Sequence, residues 1–214
     1  MVRRLDLARW KRRDHFLFFR EFEQPFFNVC IEFDVSRLTA ATAAAGRSFF
    51  LATLYATLRA ANDEQALRLR IRDGEVVEHE RVDGGTTVLR DDETFGFGYF
   101  DYQPSFEAFE AAGRQVLETV RSRRTLDDQP ARDDLIYYSV LPWINFSSFS
   151  HARRCPSRDS NPRMVFGKRS ESGDAVALPF SIEVHHALVD GLGVGRFLAA
   201  VQQLFDAPEE TLEL

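Results

Sequence analysis

The chain has 214 residues, 44% of them hydrophobic and 28% charged, close to the globular average, which excludes a disordered chain and an integral membrane protein as readings. Lys plus Arg number 27 against 33 Asp plus Glu, a formal net charge of −6, which argues against a nucleic-acid binder relying on a basic face. No stretch approaches the ~20 apolar residues of a membrane span, and charges interrupt every apolar run at the N-terminus, so one cytoplasmic domain over 1–214 is expected.

Residues 28–35, NVCIEFDV, alternate apolar and polar positions, the period-2 pattern of a strand with one buried face. Ser36 offers an N-cap for a short helix to Ala45, closed by Gly46, and Ser48 can cap a second helix, FFLATLYATLRAAN, with apolar residues at helical spacing. From Leu69 to Leu89 the pattern reads as strands broken at Asp73-Gly74 and again at Asp83-Gly84-Gly85, since Asp-Gly between extended runs is a hairpin signal. An amphipathic helix of about five turns runs from Ser105 to Arg124, with arginines at its end where the helix dipole favours them.

Leu135 to Phe149 is rich in strand formers, limited by Pro142. A loop at Cys155 to Pro162 precedes a strand near Met164 to Lys168, a turn at Ser172-Gly173-Asp174 and a strand from Ala175 to Val184. That last strand runs straight into HHALVDGLGVGRF, after which the pattern turns helical from Val194 to Phe205. Strands alternating with helices, with hairpins among them, predict an α/β fold: a two-layer sandwich with a mixed β-sheet covered by helices.

Phe is the dominant aromatic, 20 against 2 Trp and 5 Tyr, which suits a core or a pocket for a flat apolar ligand. Cys30 and Cys155 read as two reduced thiols. Basic clusters at Arg9 to Arg13 and Arg121 to Arg124 read as solvated faces, with a small phosphate-bearing ligand left open. His79 and His151 read as surface or loop residues.

The strongest local signal is His185-His186-Ala187-Leu188-Val189-Asp190-Gly191. Adjacent histidines at a strand end point to opposite faces, so at most one serves a given pocket. Three readings stand side by side: a metal site using both histidines and Asp190, a packed histidine with Asp190 capping the next helix, or a neutral imidazole poised as general base.

HHALVDG followed by VGRF resembles the active-site signature of the chloramphenicol acetyltransferases, and HHxxxDG alone is shared with other CoA-dependent acyltransferases. RWKRRDHFLFFR, VLRDDETF, SVLPWINFSSF and SGDAVALPFSIEVHH are similar to family segments in family order. The resemblance implies that His186 is the general base, that the Ser139 hydroxyl bonds the oxyanion, and that Asp190 and Arg12 form an ion pair holding the active-site turn. It implies acetyl-CoA as cosubstrate, no metal, a small alcohol acceptor such as chloramphenicol (and with it antibiotic resistance), no nucleic-acid or membrane partner, and a homotrimer with active sites between subunits. No short motif marks the CoA-contacting residues. The sequence departs from the family at Leu192 and Gly193, where an aromatic residue and a histidine are usual, at Glu183 in place of Gln, in the 150–162 loop, and at Val165 in place of a threonine, a change that deletes a hydroxyl. Those departures keep two alternatives open: a catalytically silent relative that binds a CoA ester or other ligand, and an assembly subunit.

Overall fold

Alternation of Phe27, Val29, Ile31 and Phe33 with polar neighbours sets one face of a strand against the core, and that strand lies at one edge of the main sheet. The computed structural model describes residues 1–126, 132–153 and 159–214. In chain order the elements are β1 (Val2–Arg4), α1 (Arg13–Phe19), β2 (Phe26–Asp34), α2 (Ser36–Ala44), α3 (Phe49–Asp63), a 3₁₀ turn (Gln65–Arg68), β3 (Leu69–Arg72), β4 (Glu75–His79), β5 (Asp83–Leu89) and β6 (Phe95–Phe100). They continue with α4 (Phe106–Ser122), β7 (Leu135–Val140), β8 (Arg163–Phe166), β9 (Ser170–Ser172), β10 (Ala175–His185), α5 (Gly191–Asp206) and α6 (Pro208–Thr211).

Seven strands form a mixed sheet in the order β2-β10-β8-β7-β5-β6, with β9 paired to β10, while β1, β4 and β3 make a second, smaller sheet. The pairs β5/β7 and β7/β8 are parallel and the others antiparallel. Side chains of Tyr138, Met164, Phe180, Ile182 and Val184 share the core with α3 and α5, so the helices cover one face of the large sheet. The opposite face carries Tyr137, Ser139, Val165, Ser181, Glu183 and His185. Among the described residues no helix is long and apolar enough to cross a membrane.

Ser48 and Ser105 cap α3 and α4, accepting from the backbone N–H groups of Leu51 and Ala108. The expected turn at Asp73-Gly74 joins β3 to β4 with both residues at positive φ, 51° and 78°, the backbone that a tight hairpin requires. The second expected break is wrong: Asp83, Gly84 and Gly85 begin β5. Gly84 lies beneath α3, where a Cβ would meet Leu58 Cδ1 at 3.2 Å, so this glycine serves close packing. Ser36 is not the cap of α2; Val35 holds that position, and the Ser36 hydroxyl donates to Asp34 and accepts from the Val176 N–H. α5 begins at Gly191, three residues earlier than its apolar pattern. β1, α1 and β6 carry no expectation from the periodicity alone. Cys155 lies outside the described residues.

Candidate active site

The His-His pair stands where β10 ends. His185 is the last strand residue, opposite Phe26 of β2, and its ring meets the Phe26 ring edge-on at 5.0 Å. Its side chain is buried on the open side of the sheet, and its Nδ1 accepts the Ala187 N–H. Burial and the nearby Arg153 charge push its pKa down to about 4, so this imidazole is neutral at physiological pH and stabilises the turn.

His186 faces the other way. Its ring stacks on Phe19 at 3.9 Å and packs tilted against Phe27 at 4.7 Å. Its backbone N–H donates to the Pro25 carbonyl at 2.7 Å. Nδ1 is buried with no hydrogen-bond partner among the described residues. Among the described residues nothing hydrogen-bonds Nε2, it is not one of the buried unpartnered atoms, and the residue is only partly covered. The ring is therefore held on both sides by aromatic surface with one nitrogen left open, a geometry suited to proton transfer with an outside group.

Asp190 begins α5 as its N-cap, accepting the Gly193 N–H at 2.9 Å, and its second oxygen pairs with the Arg12 guanidinium just ahead of α1. The Gly193 N–H and the Arg12 charge hold its carboxyl below the usual carboxylate range. One contact thus ties the histidine turn to the chain start, across 178 residues. Arg12 keeps Nε and Nη2 buried without partners among the described residues. Asp190 is occupied by Arg12 and its cap, and His185 and His186 diverge; among the described residues no group of three or more His, Cys, Asp or Glu could hold a metal ion.

Ser139 is part-buried on β7, in one cross-strand row with Val165, Ser181 and Cys30, on the open face. His186 lies five residues beyond Ser181, just past the end of β10, and on the covered side. At usual strand dimensions that is about 16 Å along the sheet and about 10 Å across it. Within one protomer Ser139 and His186 cannot touch the same atom.

The family departures fall around this frame. Val165 is fully buried beside Ser139. Leu192 is exposed on the first turn of α5, and at Gly193 even a Cβ would meet Val189 Cγ1 at 3.2 Å. Glu183 is buried and accepts from Arg153 Nε at 2.5 Å. His79, expected at the surface, is buried at the end of β4, where desolvation lowers its pKa. His151 is half-buried, with its pKa lowered to about 4 by the same cause.

Two features had no sequence signal. Phe19 enters only through α1. A groove of about 370 Å³ is lined by Phe49, Phe50, Val140 and Phe166, with Lys168 and Arg169 at its rim. It opens beside Val140, the residue after Ser139, and Arg169 lies over the Phe49 ring at 4.1 Å. The groove combines apolar walls with two exposed cations, Lys168 and Arg169, and one carboxylate, Glu171.

A family profile described as chloramphenicol acetyltransferase matches residues 1–202. Chloramphenicol acetyltransferase 3 of Escherichia coli is 30% identical over 203 residues, 94% of this chain and 95% of that protein. A chloramphenicol acetyltransferase of Proteus mirabilis is 27% identical over the same length. A solved chloramphenicol acetyltransferase superposes with a TM-score of 0.86 at 27% identity, covering 96% of this chain and 100% of that one. The dihydrolipoamide acetyltransferase of Azotobacter vinelandii, at 17% identity and a TM-score of 0.70 over 93% of this chain and 88% of its own, shares the fold.

Proposed function

The chain belongs to the chloramphenicol acetyltransferase family and is an acyltransferase; from that premise we propose that it is a single-domain, CoA-dependent O-acetyltransferase acting on a small, largely apolar alcohol, chloramphenicol or a similar molecule. The observation that carries this is the open Nε2 of His186 on a ring fixed by Phe19, Phe27 and the Pro25 carbonyl. In the proposed reaction Nε2 takes the proton of the acceptor hydroxyl as its oxygen attacks the thioester carbonyl of acetyl-CoA. The C–O bond forms, the carbonyl becomes an oxyanion, and the Ser139 hydroxyl donates to it. Collapse breaks the C–S bond, and the departing thiolate recovers the proton from the imidazolium. No covalent acyl-enzyme and no metal enter this scheme.

Acetyl-CoA is assigned to the groove rimmed by Lys168 and Arg169, with its thioester reaching the strand end next to Ser139. Asp190 and Arg12 are assigned an architectural role, because their charges satisfy each other and the cap of α5. The opposite-face placement of Ser139 and His186 supports an assembly in which one protomer's imidazole works beside its neighbour's serine, as in a cyclic homotrimer. The expected setting is the cytoplasm.

The test is release of free CoA thiol from acetyl-CoA with the purified protein over a panel of alcohols that includes chloramphenicol. Acceptor-dependent release is expected, and His186→Ala should abolish it in a protein that still folds cooperatively, with a melting temperature lowered only by the lost ring packing. Binding of acetyl-CoA with no turnover on any alcohol would identify a silent ligand-binding relative, and absence of CoA binding would point to an assembly subunit.

A further inference from the structure

We propose that Arg153 and Glu183 are positioning residues for His186: a clamp on the open face of the sheet that holds together the two strand ends carrying the imidazole. The inference rests on His186 being the base of the proposed reaction. Arg153 arrives from the segment preceding β8; its Nη1 reaches Asp159 Oδ1 at 3.5 Å, and its guanidinium makes two closer contacts on the sheet. Nε donates to Glu183 Oε1 on β10, and the cationic carbon lies over the Phe26 ring on β2 at 3.1 Å. A planar guanidinium can hydrogen-bond in its plane while stacking through its face, which an ammonium cannot.

Those two contacts fall on the residues that fix the catalytic turn. Phe26 is the register partner of His185 and meets its ring. The carbonyl just before it, that of Pro25, accepts the His186 N–H. Glu183 stands three residues before His186, on the strand that ends at His185. Pulling Glu183 and Phe26 toward one guanidinium therefore keeps the ends of β2 and β10 from separating, and with them the hydrogen bond that sets the height of His186. The clamp has its own anchors: Arg163 Nη1 donates to the Ala152 carbonyl next to Arg153, and Arg163 Nη2 donates to Asp159. Both clamp residues are largely buried, with side-chain exposures of 16% and 9%, so removing one leaves the other's charge poorly solvated. The open, helix-free face is where the pair sits, so it has no contact with the imidazole itself and acts through backbone placement.

The test combines kinetics with a spectroscopic readout in the full-length protein. In Arg153→Ala, kcat on the accepted alcohol should fall about 10-fold, a loss in scale with the sensitivity of bound-state chemistry to sub-ångström misplacement. KM for acetyl-CoA and for the alcohol should stay within about twofold, as expected when positioning and not binding is lost. The His186 ring signals of ¹⁵N-histidine-labelled protein, assigned by their absence in His186→Ala, should move. Glu183→Gln keeps an acceptor for Arg153 and should give a smaller change in the same direction, and the double variant should cost no more than Arg153→Ala alone, because the two act as a unit. Unchanged kcat and unmoved ring signals in either folded variant, or a rise in acceptor KM alone, would overturn the clamp. If Arg153→Ala does not fold, Glu183→Gln decides on the same readouts. Should the wild-type protein acetylate no alcohol, the functional reading fails by itself, and unmoved His186 signals would still refute the clamp.

Discussion

Ser139 and His186 present opposite problems of placement. The serine is an ordinary strand residue in a row with Val165 and Ser181, and its identity alone says nothing of an oxyanion; only the similarity of SVLPWINFSSF to family segments marks it. The histidine is legible as chemistry, because a doubled His at a strand end must send one ring to each face, and it does so: His185 to the helix-free face as a buried neutral ring, His186 to the covered side toward Phe19 and Phe27. Ser139→Ala is expected to lower kcat by ~10²-fold, the usual worth of one preorganised oxyanion donor, with acetyl-CoA affinity within a factor of about two, since that loss falls on the transition state alone. Steady-state kinetics and calorimetric titration with CoA measure the two separately; a fall in affinity as large as the fall in kcat would mean that the hydroxyl serves binding.

At the scale of elements, caps and hairpin turns are readable because they depend on local chemistry: Ser48, Ser105 and Asp73-Gly74 each perform as their residue types dictate. Asp83-Gly84-Gly85 misleads because glycine has two uses, and here the second one, letting α3 sit close to β5, prevails. The helical start of α5 at Gly191 is hidden from apolar periodicity because a polar capping residue sets it. That cap carries a prediction. Asp190 has its carboxyl held down by the Gly193 N–H and by Arg12, so the folded value lies below the unfolded one of about 3.9. A lowered carboxylate contributes stability above its unfolded value and loses it as pH falls through the folded one. Asp190→Ala should therefore cost about 1 kcal/mol or more at neutral pH, from the lost cap and the stranded guanidinium. The melting-temperature difference from wild type should shrink as pH drops below about 4; a difference that persists there would assign the loss to packing.

For the whole molecule, the two-layer plan with a mixed sheet follows from alternating strand and helix patterns, but the strand order and the relation between the two working groups are invisible until pairing and register are known. Register sets them on opposite faces, and a protomer-spanning site has a direct test. His186→Ala and Ser139→Ala proteins, each nearly inactive, should regain activity when unfolded together and reassembled, because a mixed ring contains junctions with both groups intact, about one in four for random association. Reassembly without recovered turnover would return both groups to one chain. The same placement bears on stoichiometry. A lone protomer would own half of two sites and the whole of none, so turnover per chain should decline on dilution once rings come apart, and rise again when inactive chains bearing the missing half are supplied.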